Sequence, residues 1–125
     1  MLVVNRFVVT GPADEFAARA RAALTALAAR PGYLRGSLGR AYDDTEHWAL
    51  VTEWESVGAY RRALGAYEVK VTAVPLLAES VDEPGAYEQL GTAAPGGEAT
   101  RGESDLAPSD AGPGAGATGA LRSRS

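Results

Sequence analysis

Large apolar side chains all but end at Leu90. The two Trp, five Tyr and two Phe precede it, and beyond it only Leu106 and Leu121 interrupt a run of Gly, Ala, Pro, Ser and scattered charge. Such a run cannot bury enough surface to offset the entropy lost on ordering, so residues 91–125 are expected to form a disordered tail. Residues 1–90 are left as the folding unit. A chain of 125 residues has room for one domain but not two. A domain of about 90 residues buries only a modest fraction of its surface, which favours self-association.

Within that unit the hydrophobic pattern changes period several times. Leu2 to Val9 is dominated by β-branched residues with Asn5 and Arg6 as the polar interruptions, and Thr10-Gly11-Pro12 ends it with turn chemistry: a strand. From Pro12, a good first helical residue, Asp14 and Glu15 place negative charge at a helix N-terminus. Phe16, Ala20, Ala23, Leu24 and Leu27 then fall on one helical face, and Arg30-Pro31-Gly32 stops it. Tyr33 to Tyr42 is a second strand, in which Gly36 and Gly39 mark a bulge or a close backbone approach. A loop at Asp43-Asp44-Thr45-Glu46 leads to a third strand, His47 to Trp54, whose alternation puts Trp48, Leu50, Thr52 and Trp54 on one face. Ser56 is an expected N-cap for a second helix carrying Val57, Tyr60 and Leu64 on one side. A second helical piece, Tyr67 to Val74, follows the break at Gly65, and Pro75 forbids an uninterrupted run to Glu79. Ala86 to Leu90 is the last strand.

The order β-α-β-β-α-β in one sheet is an α+β, ferredoxin-like arrangement with helices on one face only. The other face carries apolar side chains and is expected to be covered by a second copy, giving a two-fold dimeric α/β barrel.

Several classes of function are excluded or disfavoured by composition. Net charge is −4 with twelve dispersed Lys and Arg, which is not the basic footprint of a nucleic-acid binder. Cysteine is absent, and with it any disulfide, thiolate nucleophile or Cys-based metal site. The N-terminal residues do not read as a secretory signal, and no run approaches the roughly 20 apolar residues of a membrane span. A cytoplasmic protein is expected.

Ala29-Arg30-Pro31-Gly32-Tyr33, then Val51-Thr52-Glu53-Trp54-Glu55-Ser56 and Ala59-Tyr60-Arg61, resemble the antibiotic biosynthesis monooxygenase family, over about residues 2–90. The resemblance implies a dimeric α+β barrel built from this unit. It leaves the reaction open, because the family spans polyketide oxygenases, haem-degrading oxygenases and quinol oxygenases. In the polyketide-oxidising branch no metal or flavin is used: an electron-rich phenol, deprotonated in a dry pocket, itself reduces dioxygen. That branch places a Trp at the end of the third strand and a Tyr on the second helix, positions matched by Trp54 and Tyr60. Its Asn four residues before the Trp is Leu50 here, and Asn5 on the first strand is the amide that remains. The haem-degrading branch needs an axial His and a Trp on the second helix, near Thr72 and Ala63 here, so no haem is expected.

The candidate catalytic residues are therefore Asn5, Trp54 and Tyr60, with Leu50, Trp48 and Phe7 as candidate substrate contacts and no cofactor or metal. Each has a structural reading beside it: Trp54 as core packing, Tyr60 as core filler, Asn5 as a backbone partner. His47 reads as an exposed strand start, Arg6 as the ion-pair partner of a carboxylate such as Glu53, and Tyr33, Tyr42, Tyr67 and Tyr87 as core or interface. The Asp43-Asp44-Glu46 loop reads as solubilising rather than metal-binding. The expected function is a cofactor-independent monooxygenase acting on an aromatic small molecule. The alternatives are a dimeric binding module without catalysis and, third, a haem-degrading oxygenase.

Overall fold

The computed structural model describes residues 1–102, which divide into a unit spanning Met1–Tyr87 and a second beginning at Glu88. In the first, β1 (Leu2–Val8) leads through Pro12 into α1 (Ala13–Ala28). Pro12 stands one position before the helix, as its N-cap residue, and Asp14 and Glu15 occupy the first turn. The buried residues of α1, Phe16, Ala17, Ala20, Ala23 and Leu27, form one stripe, and its alanines bring the helix close to the sheet. Gly32 then reverses the chain at φ 88°, a conformation that costs a β-carbon-bearing residue about 1–2 kcal/mol.

β2 (Tyr33–Arg40) and β3 (His47–Trp54) pair antiparallel, with a register shift between Tyr33 and Arg35. The irregularity thus falls just before Gly36, while Gly36 itself is a close approach: a β-carbon there would lie 2.5 Å from the Tyr33 hydroxyl and 2.8 Å from Leu24 Cδ1. Ser56 caps α2 (Val57–Leu64), its Oγ accepting the Ala59 N–H at 3.0 Å. The next helical stretch is split at Ala73 into α3 (Tyr67–Thr72) and α4 (Val74–Leu77), because Pro75 lies in the first turn of the second piece and cannot continue the first. β4 is only Ala86–Tyr87. The residues before it still run along β1, with Val81 N–H donating to Arg6 O at 2.8 Å and Val4 N–H to Gly85 O at 2.6 Å.

The sheet order is β2-β3-β1-β4, all neighbours antiparallel, which is the ferredoxin-like arrangement. Val3, Phe7, Trp48, Leu50 and Trp54 from the sheet, Phe16, Ala20, Ala23 and Leu27 from α1, Ala59 and Ala63 from α2, and Val69, Ala73 and Leu76 beyond it make the core. Each large side chain in it contributes about 1.5–3 kcal/mol of burial. No helix of this unit covers the opposite face, where Leu2, Val4, Ala49 and Val51 are half-buried and Val8 is exposed.

In the second unit, Gly91–Thr92 (β5) pairs with Thr100–Arg101 (β6). This short ladder lies within the stretch from residue 91 that composition reads as an unstructured tail. The Thr92 and Thr100 hydroxyls lie 2.9 Å apart across the ladder and Gly96 at φ 75° closes the turn, local chemistry that composition conceals. The rest of the expected tail, 103–125, lies outside the described residues. Among those described, no helix is long and apolar enough to cross a membrane.

Candidate functional site

The alternation of β3 fixes which side chains meet the helices. Trp48, Leu50, Thr52 and Trp54 are buried, and the intervening residues are not. Because α2 begins three residues after Trp54, its first turns fold back over the strand end and set Tyr60 against Trp54, ring centroids 5.4 Å apart at 57°. Tyr33, in register with Trp54 on β2, meets it edge-on at 5.4 Å and 86°. Trp54 is fully buried and donates its indole N–H to Thr52 Oγ1 at 2.8 Å. The three rings form one cluster beneath α2.

Two phenols in this cluster are held in their acid form. Burial pushes the Tyr60 hydroxyl above its ordinary pKa, and the same cause raises Tyr33. At neutral pH Tyr60 is thus a hydrogen-bond donor rather than a base. Among the described residues nothing accepts its proton.

Asn5 shares the helix-covered face but not this corner of it. It stands opposite Leu50, whereas Trp54 N–H reaches the carbonyl of Met1, four positions back along β1 and so about 13 Å away at ~3.3 Å per residue. Its amide is half-buried and makes no side-chain hydrogen bond to a described residue. Gly85 passes close enough that a β-carbon there would stand 3.6 Å from Asn5 Nδ2. Leu50, 1% exposed, stands beside Asn5 on β3 and belongs to the core. The structure therefore brings Trp54 and Tyr60 together and sets Asn5 apart from them.

The two remaining candidates line clefts elsewhere. Phe7 packs on Phe16 at 5.1 Å, and Phe16 on Trp48 at 5.3 Å. A cleft of about 260 Å³ opens there, bordered by Phe7, Thr10, Glu15, Phe16, Arg19 and Glu79. Arg19 Nη1 bonds Glu79 Oε1 at 3.3 Å across it, and the hydrogen bonds from Arg19 hold the Glu79 carboxyl below its ordinary pKa. A second cleft, of about 340 Å³, includes Arg6, Arg40, His47, Trp48 and Ala49. The Arg40 guanidinium sits 5.3 Å from the Trp48 ring centroid. Neither cleft includes Asn5, Trp54 or Tyr60.

Other expected assignments meet mixed outcomes. Arg6 is in an ion pair, but with Glu83 at 3.2 Å, while Glu53 takes Arg35 at 2.7 Å. Register explains the exchange: Glu53 stands opposite Leu2, four residues from Arg6, and the segment holding Glu83 runs beside Arg6 itself. His47 is exposed and bonded to Asp44 at 3.2 Å. Among the described residues no group of His, Asp and Glu has the arrangement of a metal site. Tyr42 and Tyr67 are exposed rather than buried in this chain. Tyr33 and Thr52 belong to the aromatic cluster although only the strand alternation pointed to Thr52.

Comparison with known proteins shows which family the chain resembles. Residues 1–74 match the family model described as antibiotic biosynthesis monooxygenase. Deoxynogalonate monooxygenase of Streptomyces nogalater is 32% identical over 97 residues, covering 78% of this chain and 82% of that protein. The crystal structure of SnoaB, a cofactor-independent oxygenase from the same organism, superposes with a TM-score of 0.59 at 30% identity, covering 71% of this chain and 94% of SnoaB. A conserved protein from Methanosarcina mazei Go1, 20% identical with a TM-score of 0.55, covers 66% of this chain and 82% of its own and shares the fold.

Proposed function

This chain belongs to the antibiotic biosynthesis monooxygenase family, and from that premise we propose that it is a cofactor-independent monooxygenase acting on an aromatic, polyketide-type phenol. The observation that carries this reading is the Trp54–Tyr60 pair: a phenol that keeps its proton, packed on a buried indole. A phenolic substrate with an activated methylene loses a proton by its own acidity, and the resulting anion reduces dioxygen. The two radicals combine to a peroxide, which loses water to leave a quinone carbonyl. In balance, one ring methylene and one dioxygen give one ring carbonyl and one water. The protein's part is to hold the flat ring beside Tyr60, whose own ring is fixed by packing on the buried Trp54, donate the Tyr60 hydrogen bond to the developing oxyanion, and exclude water. Asn5 acts further along the same face, on a substrate carbonyl.

The half-buried apolar residues of the open sheet face support a homodimer in which a second copy covers them. The proposed site residues themselves all lie on the helix-covered face, so each protomer carries its own. Oxygen consumption with anthrone-type phenols tests the function. Uptake above the protein-free rate is expected, lost together in Trp54→Phe and Tyr60→Phe. An uptake that the double variant leaves unchanged refutes it.

The burial of Leu50, Val69, Ala73 and Leu76 favours a second reading, a binding module whose layer is filled by side chains. Ligand-induced quenching of the tryptophans by the same phenols without oxygen uptake is the outcome that would select it.

A further inference from the structure

Thr52 is the one polar residue in the described core, at a position where valine has the same shape. Its neighbours across the sheet offer its hydroxyl nothing: in register stand Val3 on β1 and Gly36 on β2. A β-carbon at Gly36 would lie 3.1 Å from Thr52 Cγ2, so the threonine methyl packs toward the space left by that glycine. The hydroxyl is then turned along the strand to Trp54, whose indole N–H it accepts at 2.8 Å. Buried polar groups persist in native cores where they are satisfied, and here each group satisfies the other.

We propose that Thr52 is a positioning residue that orients the Trp54 indole and occupies its only donor, so that the polar contact from the Tyr33–Trp54–Tyr60 cluster to a substrate oxyanion falls to a tyrosine hydroxyl and not to the indole. This rests on the reading of the site given above. An indole has one N–H and no acceptor. With that N–H spent inside the sheet layer and its ring buried against Tyr33 and Tyr60, Trp54 acts on a ligand through the rings it holds. The tilts of Tyr33 and Tyr60 against it, 86° and 57°, both depend on where the indole plane is held. The other tryptophan differs: Trp48 Nε1 is buried with no partner among the described residues, which supplies an internal control.

The full chain labelled with 15N-tryptophan gives two indole N–H resonances, assigned with Trp48→Phe. Thr52→Val, apolar and nearly isosteric, is expected to move the Trp54 indole proton upfield and leave Trp48 in place; Thr52→Ser returns it. With a phenol that the wild-type protein oxidises, the valine variant is expected to lose kcat about tenfold with KM within about twofold, the signature of lost alignment rather than lost binding. The serine variant recovers most of the rate. An indole resonance unmoved in Thr52→Val, or equal loss of kcat in the valine and serine variants, overturns the assignment. If the wild-type protein consumes no oxygen with any phenol, the proposed function falls, and the indole resonances alone decide whether Thr52 holds Trp54.

Discussion

Replacing Gly32 by alanine tests how the aromatic cluster is assembled. Gly32 ends the turn between α1 and β2 at φ 88°, and a β-carbon built on it would lie 2.4 Å from Ala59 Cβ on α2. Two penalties add: about 1–2 kcal/mol for the left-handed backbone and about 1–3 kcal/mol for overpacking against a helix, together roughly 2–5 kcal/mol. A domain of this size is stable by only about 4–13 kcal/mol at ~0.05–0.15 kcal/mol per residue, so the loss is a large fraction. Gly32 also accepts the Glu55 N–H at 2.8 Å, tying β2 to the start of α2, so movement there slides Tyr60 off Trp54. Urea unfolding should show a lower midpoint for Gly32→Ala with its slope unchanged. Ala59→Gly in the same chain removes the clash but not the backbone penalty, and the double variant should recover on the order of 1–3 kcal/mol of coupling. A Gly32→Ala protein within about 0.5 kcal/mol of the parent, or a double-mutant cycle with no coupling, would refute this close approach.

Leu50→Ala should destabilise by about 2–5 kcal/mol in the same assay, because the side chain is 1% exposed and sits at the centre of the layer. Ser56→Ala, which removes the acceptor for Ala59 N–H, should lower stability by about 1 kcal/mol and loosen the first turn of α2. For Glu79 the direction follows from its lowered pKa: the ionised form is favoured in the folded state, so its contribution is present above the unfolded carboxylate value and is lost as pH falls through the folded one. Urea midpoints of Glu79→Gln and the parent should therefore differ at neutral pH and converge in acid, with the gap shrinking as salt is added, since the pair is exposed.

Strand alternation and turn residues made most of the fold readable in advance. The buried set on β3, the Ser56 cap and the break at Pro75 each follow from local chemistry that the chain states in a few adjacent residues. Partners distant in sequence were harder to read. Arg6 clearly needed a carboxylate, but its choice of Glu83 depends on an irregular segment bonding to β1, which no periodicity announces. The short β5–β6 ladder depends on two threonines within a composition that otherwise reads as unfoldable. At the site, adjacency of Trp54 and Tyr60 follows from the spacing between strand end and helix. The distance of Asn5 from them follows only from the β1–β3 register, and the partnership of Thr52 with Trp54 from the rotamer that Gly36 permits.

Oxidation of an anthrone-type phenol under 18O-labelled dioxygen is the most direct test of the proposed chemistry. The quinone formed by metal-depleted protein should carry one labelled oxygen, at a rate well above the protein-free reaction and lost in Tyr60→Phe. A product bearing oxygen from water, or a labelled product formed no faster than without the protein, would contradict it.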